Sequence, residues 1–302
     1  MTGDTSGDAA SGRPRVLVTG AAGRLGSTVA ARFHDEGLDL LATDVVNAPG
    51  VPYRFEQADL LDHRVALSLL DDIDVLVHIA NHPGIRPRPP QLAFNENLAM
   101  NQNMFQGAAE RGVGRIVFAS TLQLIGSHPD RRTVVDEPPR PRYPIDATFE
   151  ATPSNVYALS KQLSETMLRY YATRCAVDCV AIRFPMLHRW EQRACVRAGE
   201  EDEVDVFEGF TGLTYDDAAE LIVAVLRTDL PGYRVYAPGS SHRHRDLSIP
   251  ELIRTYYPDV PPDVPDLIDV SAITEQTGWR PTPPPDRSDE PPDPPTATSE
   301  AP

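Results

Sequence analysis

Tyr157 and Lys161 stand four residues apart, a spacing that puts a phenol and an ammonium on one face of a helix. A phenol ionises near pH ~10 and is a poor base at neutrality, but a fixed neighbouring cation lowers it toward the working range. Lys161 is the single lysine among 28 basic residues, the rest being arginine. Arginine would serve less well, because a compact ammonium donates to paired hydroxyls such as those of a ribose, whereas a guanidinium is a broad planar fork. Either Ser120 or Thr121, closing an apolar run at Phe118-Ala119, could hydrogen-bond a reacting oxygen while the phenol moves its proton. Asn97, in a long helical pattern upstream, could hold a water that relays that proton.

A second constellation is Thr19-Gly20-Ala21-Ala22-Gly23-Arg24-Leu25-Gly26. Gly20 permits a tight turn, Gly23 lets the backbone approach a pyrophosphate, and Gly26 lets the following helix pack closely on the preceding strand. The free N–H groups of Ala22 to Leu25 and the positive end of that helix then face the phosphates. Asp44 closes the second strand, where a carboxylate can accept both ribose hydroxyls of an adenosine. The same charge repels a 2′-phosphate, which favours NAD over NADP, although Arg24 in the loop could hold such a phosphate. Asp59-Leu60, downstream of the second strand, could contact the adenine edge.

These groups need a frame. Apolar runs at 15–19, 38–43, 75–80, 115–119 and 178–184 read as strands buried on both faces, as parallel strands are. Amphipathic stretches at 25–36, 63–70, 91–111 and 153–173 alternate with them; the last has Thr152 at the N-cap position and Pro153 at the first helical position. Strict alternation implies an α/β fold, a Rossmann-type doubly wound parallel sheet with right-handed crossovers. Ligands then bind at the carboxyl edge, where Ser120-Thr121 lie. Beyond Phe184 the alternation breaks down, with helices suggested at 214–227 and 248–257. The expected organisation is a dinucleotide domain at 14–184 and a small C-terminal substrate lobe at 185–280. The first 13 residues are polar, and 281–302 hold 9 of the 30 prolines and five acids, so both ends are expected to be disordered.

With 44 acids against 28 bases the net charge is −16, a field that repels nucleic acids and anionic lipid surfaces. No apolar run approaches the roughly 18 residues of a membrane span, and 1–13 lack the apolar core of a secretory leader. A cytoplasmic protein acting on a small molecule is therefore expected. Cys175, Cys179 and Cys195 have no zinc-like spacing and read as reduced structural thiols, so no metal is expected.

Taken together these residues resemble the extended short-chain dehydrogenase/reductases, the NAD-dependent epimerase/dehydratase family. The likeness spans about 15–281. It rests on the Gly-rich loop, Asp44, Asp59-Leu60, His78-Ile79-Ala80, the helix bearing Asn97 and the Tyr157/Lys161 pair, with later echoes at 213–218 and 277–281. The resemblance implies that Ile79 and Ala80 also contact NAD, that Thr121 is the catalytic hydroxyl, and that helices 91–111 and 153–173 pair in a homodimer.

Departures narrow the reaction. Leu122-Gln123 stand where the family's dehydratases carry Asp-Glu, so sugar 4,6-dehydration lacks its acid/base pair. Leu124-Ile125-Gly126 and Arg183-Phe184-Pro185-Met186 lack the features with which nucleotide-sugar epimerases hold a diphosphate. The Phe-Ala-Ser-Thr-x-x-x-Ile-Gly form is most similar to the uronate dehydrogenase branch, whose Asn-His after the catalytic hydroxyl is replaced here by Leu122-Gln123. Gln123, Arg189 and Arg193, with Arg197 beyond, are the candidate substrate contacts. The expected activity is NAD-dependent hydride transfer to or from a sugar-like hydroxyl or carbonyl. The alternatives are a sugar or nucleotide-sugar epimerase that retains NAD and a non-catalytic NAD-binding regulator.

Overall fold

The computed structural model describes residues 14–83, 89–131, 134, 136, 139–189 and 196–283. Its main sheet collects β1 (Arg15–Thr19), β2 (Asp39–Asp44), β3 (Arg54–Gln57), β4 (Val75–His78), β5 (Arg115–Thr121), β6 (Asp178–Phe184) and β9 (Tyr233–Tyr236) in the order β3-β2-β1-β4-β5-β6-β9. Every pairing is parallel. The order reverses between β1 and β4, and such a switch point opens a crevice at the carboxyl ends of the strands.

The alternation of side chains along β1 shows how the sheet is covered. Val16 and Val18 face a cluster built with α1 (Arg24–Asp35) and α6 (Tyr215–Arg227). Leu17, between them, faces the opposite cluster, built with α2 (His63–Ser68), α3 (Pro90–Arg111) and α4 (Val156–Arg174). A sheet covered on both faces has no polar side, which is why its strands read as unbroken apolar runs.

Three boundaries move, each because a side chain competes for backbone groups. Helix α4 begins at Val156 and not at Pro153, and its N-cap is Asn155, whose Oδ1 accepts from Ala158 N at 2.8 Å. Thr152, the expected cap, donates its hydroxyl to Ile125 O at 3.1 Å and its N–H to Leu124 O at 2.8 Å. Strand β4 stops at His78, two residues short of the expected Ala80, because Ile79 N and Ala80 N turn to Thr19 Oγ1 at 3.2 and 3.3 Å. Strand β5 runs past Ala119 because Ser120 and Thr121 still pair with Arg183 and Phe184 of β6.

The remaining elements are a 3₁₀ turn (Leu122–Ile125), β7 (Met186–His188) paired with β8 (Gly212–Thr214), α5 (Glu203–Phe207), α7 (Ile249–Tyr256) and α8 (Ser271–Thr277). Within 185–280, expected as a substrate lobe, α6 and β9 return to the main sheet and extend its core. Thr282, inside the expected tail, donates its hydroxyl to Asp217 Oδ1 at 2.5 Å; residues 1–13 and 284–302 lie outside the described residues. Among the described residues no helix is long and apolar enough to cross a membrane.

Gly20 combines a left-handed backbone with a close approach: its φ is +74° and its Cβ, if present, would lie 2.7 Å from Ala80 N. Gly50 has a similar φ of +85° with nothing within 4 Å. Gly50→Ala therefore isolates the left-handed strain, about 1–2 kcal/mol. Gly20→Ala adds the collision and should cost about 3–4 kcal/mol. Urea denaturation of the two variants checks the difference.

Candidate active site

The turn after β1 is shaped by what its glycines exclude. A Cβ at Gly26 would overlap the Gly20 carbonyl, so α1 packs on the turn only with glycine there. Gly23 differs: its added Cβ would meet only Gly20 O, at 3.2 Å. It caps α1 without a side-chain hydrogen bond, and Ala22, Gly23 and Arg24 are exposed while Leu25 is buried. The loop thus presents main-chain N–H groups and a helix N-terminus to an open crevice, the cradle a pyrophosphate requires. Asp44 faces it, its Oδ2 accepting from Ala22 N and its Oδ1 from Val46 N, both at 3.0 Å. Each oxygen keeps a lone pair for a ribose hydroxyl. On these observations the site fits NAD.

Not every predicted contact falls at this crevice in the expected way. Asp59 is exposed, but the Leu60 side chain is 4% exposed and belongs to the core beneath the sheet, leaving only its main chain to meet an adenine. Arg189, predicted as a substrate contact, lines a cleft of about 340 Å³ with Gly23, Arg24, Thr28 and Tyr215, beside the Gly-rich loop. Arg193 lies outside the described residues, and Arg197 sits on an exposed turn.

At the other end of the crevice, β5 and α4 bring Thr121, Tyr157 and Lys161 together. Thr121 lies beside the Tyr157 phenol and acts on its ionisation, and Thr121 Oγ1 accepts from Gln123 N at 3.3 Å. Lys161 Nζ donates to Ala119 O at 2.6 Å, lies 4.5 Å from the centre of the Phe118 ring and 5.8 Å from that of Tyr157. Burial pushes the Tyr157 phenol up to about 12, with the neighbouring Thr121 hydroxyl acting against it. Burial also brings the Lys161 ammonium down to about 7, opposed by the field of Glu165. The expectation that Lys161 lowers the phenol is corrected to this extent: removal of both groups from water dominates in the protein itself.

Ser120 and Thr121 differ in their partners. Ser120 Oγ donates to Glu165 Oε1 at 2.6 Å, so its hydroxyl is engaged inside the fold. Asn97 departs from its expected role as a water relay. Its Oδ1 accepts from His82 N at 2.7 Å and its Nδ2 donates to His82 O at 3.1 Å, so the amide staples the segment after β4. Gln123 accepts from Asn155 Nδ2 at 3.3 Å and so braces the cap of α4.

Sequence reasoning missed a buried polar column. Thr19 Oγ1 bonds His78 Nδ1 at 2.7 Å, His78 Nε2 bonds Asn101 Oδ1 at 2.8 Å, and Asn101 Nδ2 donates to Ser164 Oγ at 2.7 Å. Because Asn101 Oδ1 also accepts from Asn81 Nδ2, the network assigns the imidazole proton to Nε2, and Nδ1 accepts from Thr19. Only the one-turn spacing of Asn97 and Asn101 signalled it in the sequence. It also missed the Ser120–Glu165–Arg183 cluster.

The chain matches the model of the NAD dependent epimerase/dehydratase family over residues 16–187, and it belongs to that family of NAD-dependent enzymes. It is 29% identical to the NAD-dependent glucose-6-phosphate dehydrogenase of Haloferax volcanii, over 56% of this chain and 66% of that one, just under two thirds of its length. It is 27% identical to a uronate dehydrogenase of Pseudomonas putida, over 76% and 77% of the two chains. In fold it is similar to the NAD complex of a uronate dehydrogenase variant from Agrobacterium tumefaciens, with a TM-score of 0.63 at 20% identity, covering 90% and 85% of the chains.

His78 carries a stability prediction. Burial brings its folded pKa from 6.5 down to about 3. Between those values the unfolded chain binds the extra proton, so stability rises with pH. The contribution is complete above pH 6.5 and is lost as pH falls toward 3. Relative to His78→Gln, the wild type should lose stability by up to about 1.4 kcal/mol per pH unit below 6. Denaturation midpoints at pH 7, 6 and 5 check this; parallel profiles would refute it.

Proposed function

We propose that the protein is an NAD-dependent dehydrogenase of a sugar or sugar acid. The observation that carries this reading is the convergence of Thr121, at the carboxyl edge of β5, with Tyr157 and the buried Lys161 of α4. Thr121 orients the substrate oxygen, Tyr157 acts as the phenolate that takes its proton and becomes the phenol, and Lys161 holds the nicotinamide ribose and stabilises that phenolate with its charge. Bound NAD supplies the hydride acceptor. Gly20 to Gly26 cradle the pyrophosphate, Asp44 takes the adenosine ribose, Asp59 and the Leu60 main chain flank the adenine, and Ile79 and Ala80 line the floor. Residues 14–184 thus form the cofactor domain, and 185–280 supply the substrate side. The relatives named as glucose-6-phosphate and uronate dehydrogenases support a sugar substrate. We place the enzyme in the cytoplasm, consistent with the free thiols of Cys175 and Cys179.

The experiment follows NADH formation over a panel of aldoses, sugar phosphates and uronic acids. Tyr157→Phe should lower kcat by about 10²–10⁴-fold, the range for loss of a positioned general base. Turnover within a few-fold of wild type would refute the assignment. NADH accumulating mole for mole with oxidised product marks a dehydrogenase, whereas isomerisation with no net NADH marks an epimerase.

The proposed assembly is a homodimer. Val156, Leu159, Leu163 and Tyr170 of α4 are 36–58% exposed at near-helical spacing, and Leu92 of the adjoining α3 is 42% exposed. A second copy apposing the same helices would cover this apolar face in a self-complementary contact. Light scattering at micromolar concentration should give twice the chain mass for the wild type and the chain mass for Leu159→Glu/Leu163→Glu. A monomeric wild type would overturn the assembly.

A further inference from the structure

We propose that Glu165, clamped by Arg183, is a positioning residue for the proton-transfer site: it holds Ser120 immediately before Thr121 and is the buried countercharge of Lys161. The inference rests on the dehydrogenase reading for what the site does, but its geometry stands independently of that reading.

Glu165 lies one turn beyond Lys161 on α4, and both side chains are withdrawn from solvent, at 5% and 2% exposure. A carboxylate at such depth is tolerated only when paired and hydrogen-bonded. Arg183 of β6 provides the pairing as a fork, Nε to Oε1 at 3.0 Å and Nη2 to Oε2 at 2.8 Å. Ser120 donates to the same Oε1 at 2.6 Å, and Ser120 and Arg183 are register partners across β5 and β6. The outer edge of the guanidinium is held too, with Nη1 donating to Ala147 O at 3.1 Å and the plane lying 4.3 Å from the centre of the Phe149 ring. Three elements are thereby locked at one point, and two of them, β5 and α4, carry Thr121, Tyr157 and Lys161.

A buried ion pair is a weak source of stability, since apolar residues of similar volume often serve as well. Its position explains it better. The Lys161 ammonium has one carbonyl partner and the faces of two aromatic rings, Phe118 and Tyr157, and no carboxylate forms an ion pair with it among the described residues. Of the groups around it, Tyr157 on its own helix is a neutral phenol and His78 of β4 a neutral imidazole. Glu165 is the acid whose field reaches it, against the burial that depresses it. Glu165 is itself faced by Arg183 from β6 and by the Tyr233 phenol from β9, over which Arg169 of α4 lies at 5.2 Å.

Because Lys161 is the only lysine, protein grown on lysine labelled with ¹³C at Cε gives one lysine side-chain resonance, and Lys161→Met identifies it by its loss. In the full-length wild type the resonance should titrate near about 7. In Glu165→Gln the midpoint should fall by at least one pH unit, a tenfold loss of proton affinity. Should that variant fail to fold with Arg183 unpaired, Glu165→Gln/Arg183→Met removes both charges, and its midpoint should also fall. Ser120→Ala should leave the midpoint in place while lowering kcat about tenfold at unchanged NAD affinity. A midpoint within a few tenths of wild type in the folded Glu165 variant would overturn the countercharge. Wild-type turnover in Ser120→Ala would overturn the positioning. Should Tyr157→Phe and Lys161→Met retain turnover, the dehydrogenase reading fails while the titration still reports on Glu165.

Discussion

Taking one ammonium out of water sets the terms for the rest of this active site. An isolated ammonium at the depth of Lys161 would shed its proton, and the fold counters with the Ala119 carbonyl, the face of Phe118 and the field of Glu165. Those partners work only if α4 lies close against β5. Small residues of the helix, Ala158, Ser160 and Ser164, are fully buried. The serine hydroxyls are returned to their own helix, Ser160 to Tyr157 O and Ser164 to Ser160 O, both at 2.7 Å, so close packing strands no polar group. Once α4 is held at that distance, its first turn carries Tyr157 past the end of β5 and onto Thr121.

The dinucleotide end and the proton-transfer end are joined by hydrogen bonds as well as by the sheet. Thr19 immediately precedes Gly20, its hydroxyl gathers Ile79 N and Ala80 N, and it bonds His78. From His78 the column crosses α3 at Asn101 and reaches α4 at Ser164, one turn beyond Ser160. Each member is satisfied by the next, so a single neutral imidazole serves as a two-ended spacer between β1 and α3. Helix α3 uses two asparagines one turn apart for this purpose, Asn101 toward the column and Asn97 toward His82. An asparagine committed to a main-chain donor and acceptor fixes the wall of the crevice, which is the role geometry gives Asn97.

What could be seen in the sequence is what is local in it. The five apolar runs became strands because burial on both faces forces unbroken apolar composition, and the Gly-rich turn and the Tyr157/Lys161 pair are contiguous or one helical turn apart. The start of α4 was misplaced because Thr152 and Asn155 are both good caps, and tertiary bonds from Thr152 to Leu124 and Ile125 decided between them. Strand β9 was hidden because Tyr-Arg-Val-Tyr at a sheet edge is only partly buried. Glu165 and Arg183 were hidden for a different reason. They stand 18 residues apart on different elements, and a glutamate in a helical pattern ordinarily faces water.

The two adjacent hydroxyls at the end of β5 show how the pleat converts sequence position into role. Phe118 and Ser120 share a parity and point to the α4 side of the sheet, where Phe118 lies in the core beneath the Lys161 ammonium. Ser120 follows it inward and meets Glu165, which the register places beside Arg183. Thr121 has the opposite parity and is the last residue of the strand, so the 3₁₀ turn that follows can use it as a cap through Gln123 N. At that edge the sheet no longer separates the two faces, and a phenol from the first turn of α4 reaches around the strand end to it. One hydroxyl is therefore tied to Glu165 to hold the frame, and its neighbour caps the turn that follows the strand. A swap of their order would set the threonine hydroxyl against Glu165 and leave a serine to cap the 3₁₀ turn.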